Sequence, residues 1–498
     1  MSDKRFLAID LGAASGRIFV GSWNGTQFGL SELHRFANSP AKILGHWHWD
    51  VLGLWSEIMN GLSRYRREYG PSIAGIGVDG WGIDFALLDS SGCLLGNPYG
   101  YRDPRTDGMA AAVFAEISEQ DLFSETGNQS SQMNTLFQLF SMVRGKNIQL
   151  EVAHTMLTIP DLFTYWLCAE KAVEYTSATT TEMLRKGRME WSLDLLRRLR
   201  IPSRILPRLA TPGSVLAPLR AEIAAEAGLS PSPTVFAVAA HDTASAVAAI
   251  PDMDVESAFI SSGTWSLIGV ETSAPVTTQE AFQLGFTNEG GVNGSVLLLR
   301  MVAGLWMLQE CMRRWHLQGH AYTWQGLIQM TNGAEPFRSL INPEAAEFLA
   351  PVNMLLAICS FCEATNQPKP GTLAEFVRCC IESLSLCYRE IIESLDQLAG
   401  RRLSVIRVVG GGSQNQLLCQ LTADATGRMV VAGPVEAAAL GNIMMQAVAA
   451  GDVADASEGR RIITASVQRA IFKPRTGDAW DEAYSRFRAL PAKSMDLR

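Results

Sequence analysis

A strand that runs into a turn of small residues and returns as a second strand occurs twice in this chain. The first copy reads Phe6-Leu7-Ala8-Ile9-Asp10, a turn from Gly12 to Gly16, and a return from Ile18 to Trp23. The second reads Ala258 to Ile260, Ser261-Ser262-Gly263-Thr264, and Trp265 to Val270. Short apolar runs bounded by Gly and Ser are strand–turn–strand signals. The echo suggests a duplicated fold, although the two copies share few letters. Around each copy, strands give way to helices, which is the pattern of an α/β layered architecture.

Other elements follow from periodicity. Phe28 to His34, Ser72 to Val78, Phe85 to Leu88, Thr234 to Ala240 and Val405 to Val409 predict strands. Leu52 to Tyr69 predicts a helix with Leu54, Trp55, Ile58 and Leu62 on its apolar stripe. Leu373 to Leu398 and Asn415 to Thr426 predict two more. At roughly 150 residues per domain the length allows two to four domains. No low-complexity linker divides them. The boundary is placed near residues 245 to 255, around Ile250-Pro251, giving domains 1–248 and 249–498.

Composition excludes several classes. Hydrophobic residues make up 47% and charged residues 18%, an ordinary globular balance. The formal net charge of -8 argues against a nucleic-acid partner, which needs a basic face. Asp10 interrupts the first apolar run too early for a signal peptide. No run approaches the ~20 apolar residues of a membrane span. A soluble, cytoplasmic chain without a membrane partner is therefore expected. The nine cysteines, among them Cys359, Cys362, Cys379, Cys380 and Cys387, lack the spacing of a zinc site and read as core thiols.

Four segments carry possible chemistry. Asp10-Leu11-Gly12-Ala13-Ala14-Ser15-Gly16-Arg17 ends a strand in a carboxylate beside a turn whose N–H groups suit an anion. A carboxylate beside a phosphate suits hydrated Mg²⁺, although a ligand-free hairpin would look the same. His241-Asp242-Thr243 follows an apolar strand and opens a run of helix formers. Asp242 there is either a helix cap or a general base for an attacking hydroxyl. Ser262-Gly263-Thr264 and Gly410-Gly411-Gly412 are turns that let a phosphate or a flat ligand approach the backbone. Trp81-Gly82-Ile83-Asp84 offers an aromatic face and a carboxylate to a sugar, or else a buried Trp and a satisfied turn Asp. Gly75-Ile76-Gly77-Val78-Asp79-Gly80 matches GxGxxG, but a β-rich run follows it where a dinucleotide fold needs a helix. No GxxxxGK[ST] occurs.

The order of these segments, and the stretches DLGAASGR, HRFANS, VDGWGIDFALLD, YRDPRT, EYTSATTTEM, AAHDTASAV, SSGTWSLIG, TNEGG, GLWMLQE, GGGSQNQLL and AGPVEAAALGN, resemble the FGGY carbohydrate kinases. Within that family the wording is nearest to the rhamnulokinase group. The resemblance implies an α/β fold of two actin-like, ribonuclease-H-like ATPase domains. The first would bind sugar and phosphate and the second nucleotide, with the active site in the cleft between them. It implies transfer of the ATP γ-phosphoryl group to a ketose, L-rhamnulose first, with L-fuculose or L-xylulose as alternatives. Ala13, Ala14, Ser15, Gly16 and Arg17 resemble the loop that binds ATP phosphates, and Asp10 the carboxylate near Mg²⁺. Gly82, His241, Asp242 and Thr243 resemble sugar contacts, with Asp242 the proton acceptor. Thr264, Gln309 and Gly411 resemble further ATP contacts. Met301 departs from the pattern, because rhamnulokinases carry an Asn there that touches the sugar. A non-catalytic actin-like regulator is the rival from another class, and a base at Asp242 argues against it.

Overall fold

The computed structural model describes residues 4–349, 351–475 and 477–491. One sheet is built from β1 (Lys4–Leu11), β2 (Ser15–Trp23), β3 (Phe28–Ala37), β4 (Gly75–Gly80), β5 (Ser214–Pro218) and β6 (Thr234–Ala237). A second is built from β7 (Ser257–Ser262), β8 (Trp265–Thr272), β9 (Thr287–Gly290), β10 (Val296–Ala303), β11 (Val405–Val409), β12 (Met429–Ala432) and β13 (Ala470–Phe472). The first sheet runs β3-β2-β1-β4-β6-β5 and the second β9-β10-β8-β7-β11-β12-β13. In each, the central strand pairs antiparallel with its hairpin partner and parallel with a strand on the other side. Apart from the edge strand β9, the two sheets repeat one topology. The echo between the two hairpins is therefore architectural, although few letters are shared.

Six helices matter for the site: α1 (Val51–Tyr69), α2 (Asp242–Ala248), α3 (Trp306–Leu317), α4 (Leu373–Ala399), α5 (Gln416–Thr426) and α6 (Ala437–Ala449). α1 forms because Val51, Leu54, Ile58, Leu62 and Tyr65 recur at helical spacing and are all buried. Asp50 caps it, its carboxylate accepting from the Gly53 N–H at 3.0 Å. The helix ends at Gly70, whose φ of +93° suits glycine. Trp55, expected on the stripe, is only half-buried. α4 opens on a capping box formed by Thr372 and Glu375.

The two halves share a core. Phe6 and Phe236 from the first sheet, Phe259 and Leu299 from the second, and Ala244, Ala439, Ile443 and Met444 from α2 and α6 form one buried cluster. Small residues let α2 and α6 approach closely. A Cβ on Gly441 would lie 1.9 Å from the Ser245 carbonyl oxygen. α6 belongs to the second half in sequence yet lies against β1 and β4 of the first sheet.

The long segment between β4 and β5 mixes short helices with two small two-stranded sheets and carries its own core around Leu136, Phe137, Phe140 and Leu196. Sequence reading assigns only its strand from Phe85 to Leu88, which the structure contains. The cysteines are free thiols, with Cys362, Cys379, Cys380 and Cys387 buried. Among the described residues no helix is long and apolar enough to cross a membrane.

Candidate active site

β1 and β4 lie side by side and parallel, and their register sets Asp10 directly against Asp79. Both carboxylates are buried, at 3% and 0% exposure. Burial raises the Asp10 pKa, and the Arg17 guanidinium opposes that rise. Burial and the charge of Asp10 together push Asp79 further up. Arg17 Nη2 donates to Asp10 Oδ2 at 2.6 Å and its Nη1 to Glu436, just before α6. Asn442 Nδ2 on α6 donates to Asp79 Oδ2 at 2.6 Å, while Asp79 Oδ1 has no partner among the described residues.

The turn between β1 and β2 is shorter than expected. β2 begins at Ser15, so the turn consists of Gly12, Ala13 and Ala14, with Ala14 exposed at its tip. Asn38 braces it, Nδ2 donating to the Gly12 carbonyl at 2.9 Å and its N–H to the Ala14 carbonyl at 3.2 Å. Gly16 sits inside the ladder opposite Leu11. A Cβ there would lie 2.1 Å from the Phe36 ring, so packing by itself accounts for this glycine.

His241 is the extended residue before α2, and Asp242 is the first residue of that helix. The Asp242 side chain is 33% exposed, and its Oδ1 accepts from the Thr243 hydroxyl at 3.2 Å. Burial raises the Asp242 pKa, and His241 and the Thr243 hydrogen bonds counter it. The charge of Asp242 also raises both Asp10 and Asp79, so three carboxylates from three segments converge. The backbone here is anchored from the first half: Ala240 N–H donates to Glu174 Oε2 at 2.9 Å and His241 N–H to Thr176 Oγ1 at 3.1 Å. Gly80 bridges to His241 in parallel, which brings the end of β4 to the same place.

Gly82 follows β4 and is half-buried; a Cβ there would meet Thr180 Oγ1 at 2.8 Å. Asp84, weighed as a sugar contact, is fully committed to the protein. It accepts from Trp49 Nε1 at 2.6 Å, Trp81 Nε1 at 3.0 Å, Gln138 Nε2 at 3.0 Å and the Tyr101 N–H at 3.2 Å. Burial brings its pKa to about 6 against those bonds. Trp81 is 5% exposed, so the pair is scaffold beneath Gly82.

In the second half, the β7–β8 turn meets two other elements. Its Gly263 and Thr264 carbonyls accept from Leu305 N–H at 3.0 Å and Trp306 N–H at 3.1 Å. This seats the first turn of α3, and with it half-buried Gln309, against the hairpin. Gly410 has φ +80°, and a Cβ on Gly412 would lie 2.0 Å from Ser262 Oγ. Gly411 has neither restraint, and a Cβ there meets nothing within 4 Å. Thr264, Gln309 and Gly411 thus border one region of the second half. Met301 pairs with Leu267 across β8 and β10 and is half-buried.

Sequence reasoning missed Asp79, Asn38, Glu174, Glu436 and Asn442. Asp79 lay inside the GxGxxG decoy, where one carboxylate in an apolar strand was the available signal. Asn442 and Gln446 stand four apart in an otherwise apolar helix, a spacing that marks a polar seam.

Mg²⁺ takes one or two protein carboxylates and keeps waters and phosphate oxygens as its other ligands. Asp10 and Asp79 fit that requirement, adjacent at strand ends with one bare oxygen. Among the described residues no group of three or more His, Cys, Asp or Glu is arranged to hold a metal by itself.

Two α/β halves repeat one topology, with buried carboxylates beside the first hairpin and glycines beside the second. A xylulose kinase from Lactobacillus acidophilus has the same fold, with a TM-score of 0.81 at 17% identity over 99% of this chain and 100% of that one. Plasmodium falciparum glycerol kinase, solved with ADP, matches with a TM-score of 0.78 at 15% identity over 98% and 97%. The models for the N- and C-terminal domains of the FGGY family of carbohydrate kinases match residues 5–249 and 258–450. A rhamnulokinase from Bacteroides thetaiotaomicron is 42% identical over 97% of this chain and 99% of its own length. One from Oceanobacillus iheyensis is 38% identical over 92% and 96%. The chain belongs to the FGGY family of carbohydrate kinases and is a sugar kinase.

Proposed function

We propose that the protein transfers the γ-phosphoryl group of ATP to the primary hydroxyl of L-rhamnulose, giving L-rhamnulose 1-phosphate. The observation that carries this reading is Asp242, a partly open carboxylate at the start of α2, 3.6 Å from His241 Nε2 and near enough to the buried Asp10 and Asp79 for its charge to raise both. A general base needs a carboxylate within hydrogen-bond reach of the hydroxyl it deprotonates. Gly82, His241 and Thr243 border the sugar, and Asp242 takes its proton as the oxygen attacks the γ-phosphorus. The segment from Ala13 to Arg17, the turn and the start of β2, faces the phosphates, while Thr264, Gln309 and Gly411 border the nucleotide. Mg²⁺ at Asp10 and Asp79 would neutralise phosphate charge. The names of the relatives support L-rhamnulose as substrate.

A coupled assay of purified protein with ATP and L-rhamnulose, L-fuculose and L-xylulose tests the reading, with L-rhamnulose expected to give the highest kcat/KM. Met301 favours one alternative, because a thioether cannot replace the hydrogen bonds of an amide. Met301→Asn is expected to raise kcat/KM for L-rhamnulose by an amount equivalent to about 0.5–1.5 kcal/mol, one net hydrogen bond. A wild-type preference for another ketose would reassign the substrate within the class.

A further inference from the structure

Glu289 has no part in the site described so far. It lies on β9, an edge strand of the second sheet, yet its side chain is only 13% exposed. Its Oε2 stands 3.2 Å from His241 Nδ1, and the other ring nitrogen, Nε2, stands 3.6 Å from Asp242 Oδ1. The imidazole is thus flanked by a carboxylate at each nitrogen. His241 Nδ1 and Glu289 Oε2 are both buried, and beyond this close contact neither has a hydrogen-bond partner among the described residues; the contact itself is an ion pair, not a hydrogen bond of good geometry. Two buried polar atoms in that position depend on each other.

The strand that carries Glu289 is fastened to the first half on both sides of it. Asn288 N–H donates to the Gly127 carbonyl at 2.9 Å, and its side-chain amide donates to the same oxygen at 2.8 Å. Asn128 Nδ2 donates to the Asn288 carbonyl at 3.1 Å. Gly290 N–H donates to Thr179 Oγ1 at 2.8 Å. Glu174 and Thr176 already fix the backbone of His241. What they leave undetermined is the rotation of the ring, and Glu289 is placed to set it.

We propose that Glu289 is a positioning residue for the ketose: it holds the His241 imidazole so that Nε2 faces Asp242 and the hydroxyl-bearing end of the sugar. The inference rests on the sugar-site reading of His241 given above. It makes the sugar site a joint product of both halves, since β9 comes from the second sheet. The carboxylates facing the ring are Glu289, Asp242 and Glu174, and together they hold its pKa up against burial. A raised pKa favours the form of the ring that donates from both nitrogens, which suits a sugar oxygen at Nε2.

The test is a double-mutant cycle with Glu289→Gln, His241→Gln and the pair, reading KM and kcat for L-rhamnulose and for ATP. Glu289→Gln is expected to raise the sugar KM about ten-fold, the scale of one charge-assisted hydrogen bond, and to leave the ATP KM and the melting temperature near wild type. In the His241→Gln background the same change is expected to add little, because Glu289 acts through the ring. Independent, multiplying effects, or an unchanged sugar KM in Glu289→Gln, would overturn the proposal. A ¹⁵N NMR spectrum of the histidine ring nitrogens checks the contact without substrate. The His241 signals are expected to move in Glu289→Gln, and unmoved signals would overturn the proposal. Failure of wild type to phosphorylate any ketose would instead overturn the functional reading, and the NMR outcome would still decide the contact.

Discussion

The hairpin turns of the two sheets share a topology and differ in charge. The β1–β2 turn is flanked by Asp10 and Arg17, which bond to each other, and Asp79 lies opposite Asp10. The β7–β8 turn is flanked by Ser261, Ser262 and Ser266 and holds its shape through the Gly263 and Thr264 carbonyls. Its neighbours are glycines, where the first turn has carboxylates. One architecture therefore supports two electrostatic environments, and chemistry follows the site, not the fold. Charged side chains gather around the first turn, and small neutral residues around the second; under the proposed function the first would serve proton and metal and the second the nucleotide.

Substitutions on the two sides should fail in different ways. The largest effect is expected from Asp242→Asn, which keeps the Thr243 hydrogen bond but cannot accept a proton. Its kcat should fall by about 10² or more, the range general-base catalysis supplies, with a far smaller change in sugar KM. Steady-state kinetics checks this, and near-wild-type turnover would remove Asp242 from the mechanism. Asp79→Asn comes next. It retains an acceptor for Asn442 but loses the bare carboxylate oxygen, and the apparent Mg²⁺ affinity should drop by roughly ten-fold or more. A Mg²⁺ titration of activity reads it, and an unchanged midpoint would confine Asp79 to a structural role. On the neutral side, Gly411→Val should raise the ATP KM several-fold while the sugar KM and melting temperature hold. The open space around Gly411 makes this a cleaner probe than its neighbours. Equal loss for both substrates would contradict the proposed role.

The smallest effect concerns stability, where the halves differ again. Glu182 in the first half is buried without a cation, accepting from Ser130 Oγ at 2.5 Å and Asn134 Nδ2 at 2.7 Å, and burial pushes its pKa up to about 8. Glu382 in the second half is paired with Arg378 at 2.6 Å. A carboxyl that binds its proton more tightly when folded contributes stability that is full below its unfolded value. That stability is lost as pH rises through the folded value. For Glu182 the window runs from 4.5 to about 8. Melting temperatures at pH 5 and pH 8 should therefore differ less in Glu182→Gln than in wild type. An equal fall in both would show that Glu182 is not the titrating group.

Much of the fold was legible because it is written in local pattern. The two hairpins, α1, α4, α5 and β11 follow from periodicity and from Gly or Ser punctuation. Asp242 at a helix start was legible for the same reason. What sequence did not reveal depends on distant partners. Asp84 reads from sequence as either a sugar contact or a satisfied turn residue, and Trp49 and Gln138, distant in the chain, decide for the second. Gly16 looked like a phosphate contact, and Phe36 gives it a packing reason. Glu436 and Asn442 reach Arg17 and Asp79 of the first sheet, and Glu289 reaches His241, from far along the chain; the spacing of Asn442 and Gln446 hints at a polar seam, but no local rule names the partner.

L-rhamnulose is the proposed acceptor of this sugar kinase. ³¹P NMR of purified protein with ATP, Mg²⁺ and L-rhamnulose tests it most directly. The expected result is a phosphate ester at the primary hydroxyl, formed in step with ADP. ADP and free phosphate without an ester, or an ester formed only with a different ketose, would contradict it.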